Sequence, residues 1–446
     1  MKKLLKLCLV VLMALSICAC GSKEQPTVEE DPLTTLINDA TDTFVSDCQE
    51  ALADAKAVEV YTDEILKDIT EPIKITVWNT YYEYQQAAFQ KVADGFNEKY
   101  KGKIEVEYVS QAYQDYDTNL LNAVRAGTGP NITSRYCSTA AQYVQEKLLV
   151  NLYPYIMDSE IGIPNYKENI IGKEYDEVTQ WGAESLYVYP VNMTTEVLYY
   201  NADLFNELGL KVPTTWTELA EVSKAIYEAK GIPGWGSDSE TDTMIDRVIQ
   251  AKSGYINGTT CESEVDLDTF KDVLTWYVKG LDEGYFRLAG ADMYHSGPFV
   301  NGQVGMYIGS SAGVSYVFPN DNFDVGVAAI PQEGGETFCP AWGGGLVVFD
   351  KTPEENLASY LFLKYFLEDD VIAKWCTVFG AMPATKSAID TEIYQTWANE
   401  NRVGQALIQS ADYVNWVNSV PGADNFRNAF GYAVDSIAAE LADSAE

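Results

Sequence analysis

Ile73-Lys-Ile-Thr-Val-Trp78, then Tyr84 to Tyr100, then Ile104-Glu-Val-Glu-Tyr-Val109 form the stretch whose pattern decides the fold. The first and third pieces are short and rich in β-branched residues, which predicts strands. The middle piece sets Ala88, Val92, Phe96 and Tyr100 at helical spacing, which predicts an amphipathic helix between them. Tyr116 to Ala126 predicts a second helix, ended by Gly127-Thr-Gly-Pro130, where glycine supplies a left-handed cap and proline blocks continuation. The order β-α-β-α predicts an α/β chain built on a doubly wound sheet.

Further along, Leu186 to Tyr200 reads as one long extended segment, and Asn201 to Leu208 as a helix stopped by Gly209. Thr215 is placed to cap a helix from Trp216 to Lys230, with Glu218 completing a capping box. Residues 72 to 446 exceed what one core usually holds, so two lobes are expected. Ahead of them, residues 20–71 are acidic and poor in aromatics, with Pro26 and Pro32 and helix-compatible runs near Thr34 to Leu52 and Val58 to Asp68. This composition predicts a tether with short helices.

At the start, Lys2, Lys3 and Lys6 precede the apolar run Leu7 to Ile17 and then Cys18-Ala-Cys20-Gly21-Ser22. A basic, apolar, then small-residue order marks residues 1–19 as a cleavable export signal. No later stretch reaches the ~20 apolar residues a membrane span needs. The chain carries 30 basic and 66 acidic residues, a net charge of −36; losing the three signal lysines takes it to −39. Such a surface repels nucleic acid and anionic lipid headgroups. Beyond the signal and Cys20, the remaining cysteines Cys48, Cys137, Cys261, Cys339 and Cys376 are odd in number and hold no CxxC pair, so neither a disulfide framework nor a zinc site is expected. His295 is the sole histidine, which argues against a histidine metal centre or a Ser-His triad.

Several motifs carry a family resemblance. Tyr189-Pro-Val-Asn-Met-Thr-Thr-Glu-Val-Leu-Tyr-Tyr-Asn201, Asp203-Leu-Phe, Gly209-Leu and Val212-Pro-Thr-Thr-Trp216 resemble the central signature of family 1 extracellular solute-binding proteins, the receptors of ATP-driven sugar importers. Phe299-Val-Asn-Gly-Gln-Val-Gly-Met306, Ala328-Ala-Ile-Pro331, Trp342-Gly-Gly-Gly345 and Gly380-Ala-Met-Pro-Ala-Thr385 continue it in order. Ile17-Cys-Ala-Cys-Gly21 resembles a lipobox, which implies a diacylglycerol anchor on Cys20, with Cys18 as the rival position.

The resemblance implies a periplasmic-binding-protein-like fold: two doubly wound lobes joined by a crossing-strand hinge that closes on ligand. Crossings are expected near Pro190 to Thr194 and Gly343 to Val347, with a return near Pro383. Lobe one is then residues 72–191 and 346–384, and lobe two residues 192–345 and 385–446. The partners implied are a carbohydrate ligand and permease subunits of an ABC importer, met by a monomer tethered on the extracellular side of the cell membrane. Val77-Trp78, the Tyr113 to Pro130 spacing, Ile308-Gly-Ser-Ser311 and Asn425-Phe-Arg427 look toward receptors for glycerol-phosphate compounds. Those receptors place an acid after the G-x-G-P turn; here Ile132-Thr-Ser-Arg-Tyr-Cys137 has none, which favours a neutral sugar.

A sugar offers apolar C–H faces and a rim of hydroxyls, so its site needs flat rings and forked polar groups. Trp78 ends the first strand. Trp342 precedes three glycines, among them Gly344, which let backbone approach a ligand. Trp235 lies in the glycine-rich Pro233-Gly-Trp-Gly236. Each of the three has core packing as its alternative. Ser310 and Ser311 either donate to ligand or cap a helix. Asp238, with Asp242 as rival, suits sugar hydroxyls, and Arg427 suits an anionic or hydroxylated ligand or else an ion pair. Tyr113 and Asn192 match binding or hinge positions of the family. Tyr199-Tyr200 invites an iron reading, but neighbours in a strand point to opposite faces. His295, beside Gly297-Pro298, reads as a loop residue. No catalytic residue, metal or cofactor is expected. The other functional classes are a secreted glycan-active enzyme, which needs two carboxyls set across a cleft, and a non-transporting sensor or adhesin.

Overall fold

The computed structural model describes Leu66 and residues 69–81, 83–112, 116–171, 174–182, 184–257, 263–410, 414–418, 426–434 and 436. The expected signal, Cys20, Tyr113 and nearly all of the tether lie outside these residues. Among the described residues no helix is long and apolar enough to cross a membrane.

In chain order the strands are β1 (Ile73–Asn79), β2 (Ile104–Ser110), β3 (Ile132–Arg135), β4 (Tyr189–Asn201), β5 (Trp235–Ser237), β6 (Phe286–Arg287), β7 (Met306–Ser310), β8 (Val325–Ala329), β9 (Cys339–Val348), β10 (Met382–Pro383) and β11 (Val414–Asn415). The chain divides into two compact units. Of the described residues, the first unit holds those up to Thr194 with Trp342–Glu400, and the second holds Thr195–Ala341 with those from Asn401 on. β4 therefore passes out of the first unit at Thr194, and β9 returns at Trp342.

In the first unit β1 lies between β2 and β3 and runs parallel to both, from Ile73↔Ile104 to Asn79↔Ser110 on one side and at Val77↔Ile132 on the other. β9 joins β3 antiparallel, pairing Val348 with Ile132 and Gly345 with Arg135. Helix Glu83–Lys99 buries Phe89, Val92, Ala93 and Phe96, a stripe one residue off the expected one at its start. Phe89 and Phe96 meet Phe362 from helix Pro353–Phe366, and Phe89 also meets Trp375 from helix Asp369–Phe379.

In the second unit β4 pairs antiparallel with both β7 and β8, while β7, β5 and β6 run parallel. Both sheets are thus mixed rather than wholly parallel, because the strands that pass between units run against their neighbours. Asn201 accepts from Leu204 N–H to cap helix Ala202–Leu208, and Gly209, at φ 65°, ends it in the left-handed region. The Thr215–Glu218 capping box opens helix Trp216–Lys230 as its sequence predicts.

The unit boundaries differ from those expected. Sequence motifs put the changes at 191/192, 345/346 and 384/385, whereas they fall at 194/195, 341/342 and 400/401. The last moves because helices Lys386–Ile389 and Glu392–Glu400 pack on helix Asp369–Phe379, with Tyr394 and Ala398 fully buried.

Candidate solute-binding residues on each unit

α/β sheets hold ligands outside the carboxyl ends of their parallel strands. In the first unit those ends are Trp78 and Asn79 on β1 and Ser134 and Arg135 on β3. Trp78 is half-buried, and Asn79 is fixed beneath the surface by accepting from the Tyr108 hydroxyl at 2.7 Å. Arg135 stacks on the Tyr116 ring and pairs with Asp117 at 3.0 Å. Tyr136 follows β3 with 45% of its surface exposed, and its ring stands edge-on to Trp342, centroids 6.1 Å apart. The Trp342 carbonyl accepts from the Thr194 hydroxyl at 3.4 Å. Trp78, Trp342 and Tyr136 therefore give this unit flat apolar faces that solvent can reach. Tyr136 is a residue that reading the sequence missed; its one signal is an aromatic directly after the third strand.

Two expectations in this unit are corrected. Asn192 is buried and accepts from Trp375 Nε1 at 3.2 Å, so its carbonyl oxygen is committed to the interior. The glycines after Trp342 do not open backbone to a ligand. A Cβ at Gly343 would collide with the Glu174 carboxylate, one at Gly344 would sit 2.9 Å from Asn192 Nδ2, and one at Gly345 would collide with Val188 Cγ1. These glycines exist because side chains of their own unit lie flush on the strand. Gly345→Ala is accordingly expected to destabilise by about 2 kcal/mol through overpacking, read from denaturant melts.

Glu174 and Glu177 share helix Glu174–Val178 and are both buried. Burial pushes the Glu174 carboxyl up to about 7. Burial and then the neighbouring Glu174 charge push the Glu177 carboxyl well above its ordinary value. Sequence alone places such acids on a solvated helix face.

In the second unit the parallel strands end at Ser237 on β5 and Ser310 on β7. Asp238 follows β5, its N–H donating to the Ile308 carbonyl at 2.9 Å and its side chain 20% exposed. Ser310 is exposed but serves as a cap, accepting from Ala312 N–H at 3.2 Å. Ser311 is fully buried beneath Thr195, whose N–H lies 3.5 Å from its hydroxyl. Arg427 holds Asp242 through Nε at 3.1 Å and Nη2 at 2.6 Å, with Ser239 Oγ at 3.4 Å. Ser310 and Arg427 thus take the structural alternative of their sequence readings, whereas Ser311 is buried without capping a helix.

Trp235 is corrected outright. It has no exposed surface and packs among Trp216, Trp276, Tyr277 and Phe286, centroids 4.8 to 6.5 Å away. Of the glycines beside it, Gly234 lets the strand lie against Ser223 of helix Trp216–Lys230, and Gly236 makes room for the His295 ring.

Beneath these strand ends lie Glu196 and Asp246, both buried and within hydrogen-bonding reach of each other. Neither oxygen of Asp246, nor Oε2 of Glu196, has a donor among the described residues. Burial first, then the charges of Asp242 and Asp238, push the Glu196 carboxyl up; burial, then Glu196, does the same to Asp246. Burial and mutual repulsion both disfavour ionising the two carboxyls together. Among the described residues no cluster of three or more His, Cys, Asp or Glu is arranged to hold a metal ion.

The family profile described as "Bacterial extracellular solute-binding protein" matches residues 91–401. The sn-glycerol-3-phosphate-binding periplasmic protein UgpB of Yersinia enterocolitica is 22% identical over 348 residues, 74% of this chain and 78% of that protein. In fold, the GacH receptor of Streptomyces glaucescens, solved unliganded and with acarbose, matches with a TM-score of 0.71 at 17% identity, covering 83% of this chain and 97% of GacH. UgpB of Mycobacterium tuberculosis, solved with glycerophosphocholine, matches at 0.69 and 16% identity, covering 84% of this chain and all of that one (100%). With the profile spanning most of both units and the strand ends furnished as described, the chain belongs to the family of bacterial extracellular solute-binding proteins.

Proposed function

We propose that this protein captures a neutral, hydroxyl-rich solute, a sugar or oligosaccharide, by hinge closure outside the cell, and delivers it to the permease of an ABC importer. It acts as a monomer held to the membrane through lipidated Cys20, and it binds without turnover.

One observation carries the choice of a sugar over a glycerol phosphate. Arg427, the cation best suited to a phosphate, is gripped by the Asp242 carboxylate through two nitrogens, at 3.1 and 2.6 Å. Glu196 lies within electrostatic reach of both Arg427 and Asp238, so acids dominate this end of the unit. A dianion would enter that surrounding against repulsion, whereas sugar hydroxyls can donate to carboxylates. The exposed ring of Tyr136 and the half-buried rings of Trp78 and Trp342 suit the C–H faces of a pyranose. Similar structures named for oligosaccharide ligands support the reading, and the sn-glycerol-3-phosphate relatives supply the rival.

Thermal-shift titration with maltose, raffinose, longer glucans, sn-glycerol-3-phosphate and glycerophosphocholine tests it. A solute at ~100 times its dissociation constant stabilises by ~2.7 kcal/mol. A saccharide is expected to raise the melting temperature and to be recovered unchanged. A shift with the phosphates alone, or conversion of the saccharide, would overturn the proposal.

A further inference from the structure

His295, the single histidine of the chain, is wholly buried, and neither ring nitrogen has a hydrogen-bond partner among the described residues. Orphaned buried polar atoms call for an explanation. Nδ1 lies 3.4 Å from Asp238 Oδ1, and the His295 N–H donates to that same oxygen at 2.6 Å. The fold makes room for this arrangement at two glycines. A Cβ at Gly236 would collide with His295 Nε2, and a Cβ at Gly309 would collide with Asp238 Oδ2. The ring also lies near-parallel to Tyr307, at 21°.

The backbone leading into His295 is strained. Met293 adopts φ 64°, a region that costs a non-glycine residue energy, yet its own side chain is 71% exposed and gains nothing by packing. What the turn achieves is the delivery of His295, two residues on, to the interior beside Asp238.

We propose that His295 is a positioning residue that holds one oxygen of Asp238, turning the other toward solute. Oδ1 accepts from the His295 backbone N–H and faces ring Nδ1 at 3.4 Å, while Oδ2 lies against the backbone of Gly309, the residue before the exposed Ser310. A carboxylate fixed in this way meets a solute hydroxyl without first losing rotamer freedom. The inference rests on Asp238 being a solute acceptor, as the proposed function has it.

Two measurements test it. In protein labelled with ¹⁵N-histidine the ring nitrogens give one assignable pair of signals, and Asp238→Asn is expected to move them without any solute present; unmoved signals would overturn the proposal whatever the solute proves to be. In calorimetric titration with the saccharide giving the largest melting shift, His295→Phe, which keeps the ring's bulk and the backbone N–H but removes the ring nitrogen facing Oδ1, is expected to weaken binding about tenfold. His295→Asn, whose amide nitrogen falls near the place of Nδ1, is expected to restore most of it. Equal affinity for the phenylalanine variant and wild type, at similar melting temperatures, would sink the positioning role. If wild type binds no saccharide, the solute reading fails by itself and the ring signals decide the rest.

Discussion

Trp235→Ala lowers the melting temperature of the second unit by about 10 °C, the expected consequence of losing about 4 kcal/mol. The ring is fully buried and touches Trp216, Trp276, Tyr277 and Phe286. Its removal leaves a cavity walled by aromatics that cannot follow it inward, because Trp216 is tied through Nε1 to Gln250 at 2.8 Å and Trp276 is covered by the Arg247 guanidinium 4.0 Å from its ring centre. No hydrogen bond is lost with it, since Nε1 of Trp235 has no partner among the described residues. The effect is therefore packing alone. Saccharide affinity measured well below the melt should be unchanged. Trp342→Ala is the contrast: its ring is only partly buried, so it should cost little stability and most of the affinity. If Trp235→Ala abolished binding while melting like wild type, the ring would belong to the site after all.

The second large effect is a loss of stability as pH rises from 5 to 8. Glu174, raised by burial to about 7, keeps its proton in the folded chain over a range in which the unfolded chain has released it. The folded state then binds more protons, so this stabilisation is complete below about 4.5, and it fades as pH climbs through 7. Its span is worth about 3 kcal/mol. Glu177, Glu196 and Asp246 are raised with the same sign and add to the decline. Glu146, Glu218, Asp266 and Glu355 are lowered, by hydrogen bonds that favour the charged form, so their contributions are present above the ordinary carboxylate range and vanish in stronger acid. Stability should peak near pH 5. Denaturant melts at pH 5, 6, 7 and 8 read the slope, and Glu174→Gln should flatten it while making the protein more stable than wild type at pH 8. Stability that rose with pH across this range would contradict the buried-acid account.

The first two strands, the helices between and after them, and the Thr215 capping box were all readable from the chain, because periodicity and caps depend on residues within a few positions of each other. The family's motifs likewise pointed to a solute-binding protein, since a motif is a local string. What each candidate residue does was decided elsewhere. Arg427 meets Asp242 across 185 residues, Trp375 meets Asn192 across 183, and His295 meets Asp238 across 57. Asp242 and Trp375 each take a group that in isolation looked available for ligand, whereas His295 engages only one oxygen of Asp238. The three glycines after Trp342 looked open for the same reason, until Glu174, Asn192 and Val188 were brought against them. Sequence by itself determined the kind of fold and the kind of protein; tertiary structure alone decided which side chains remain free to bind, because freedom is the absence of a partner and partners come from far along the chain.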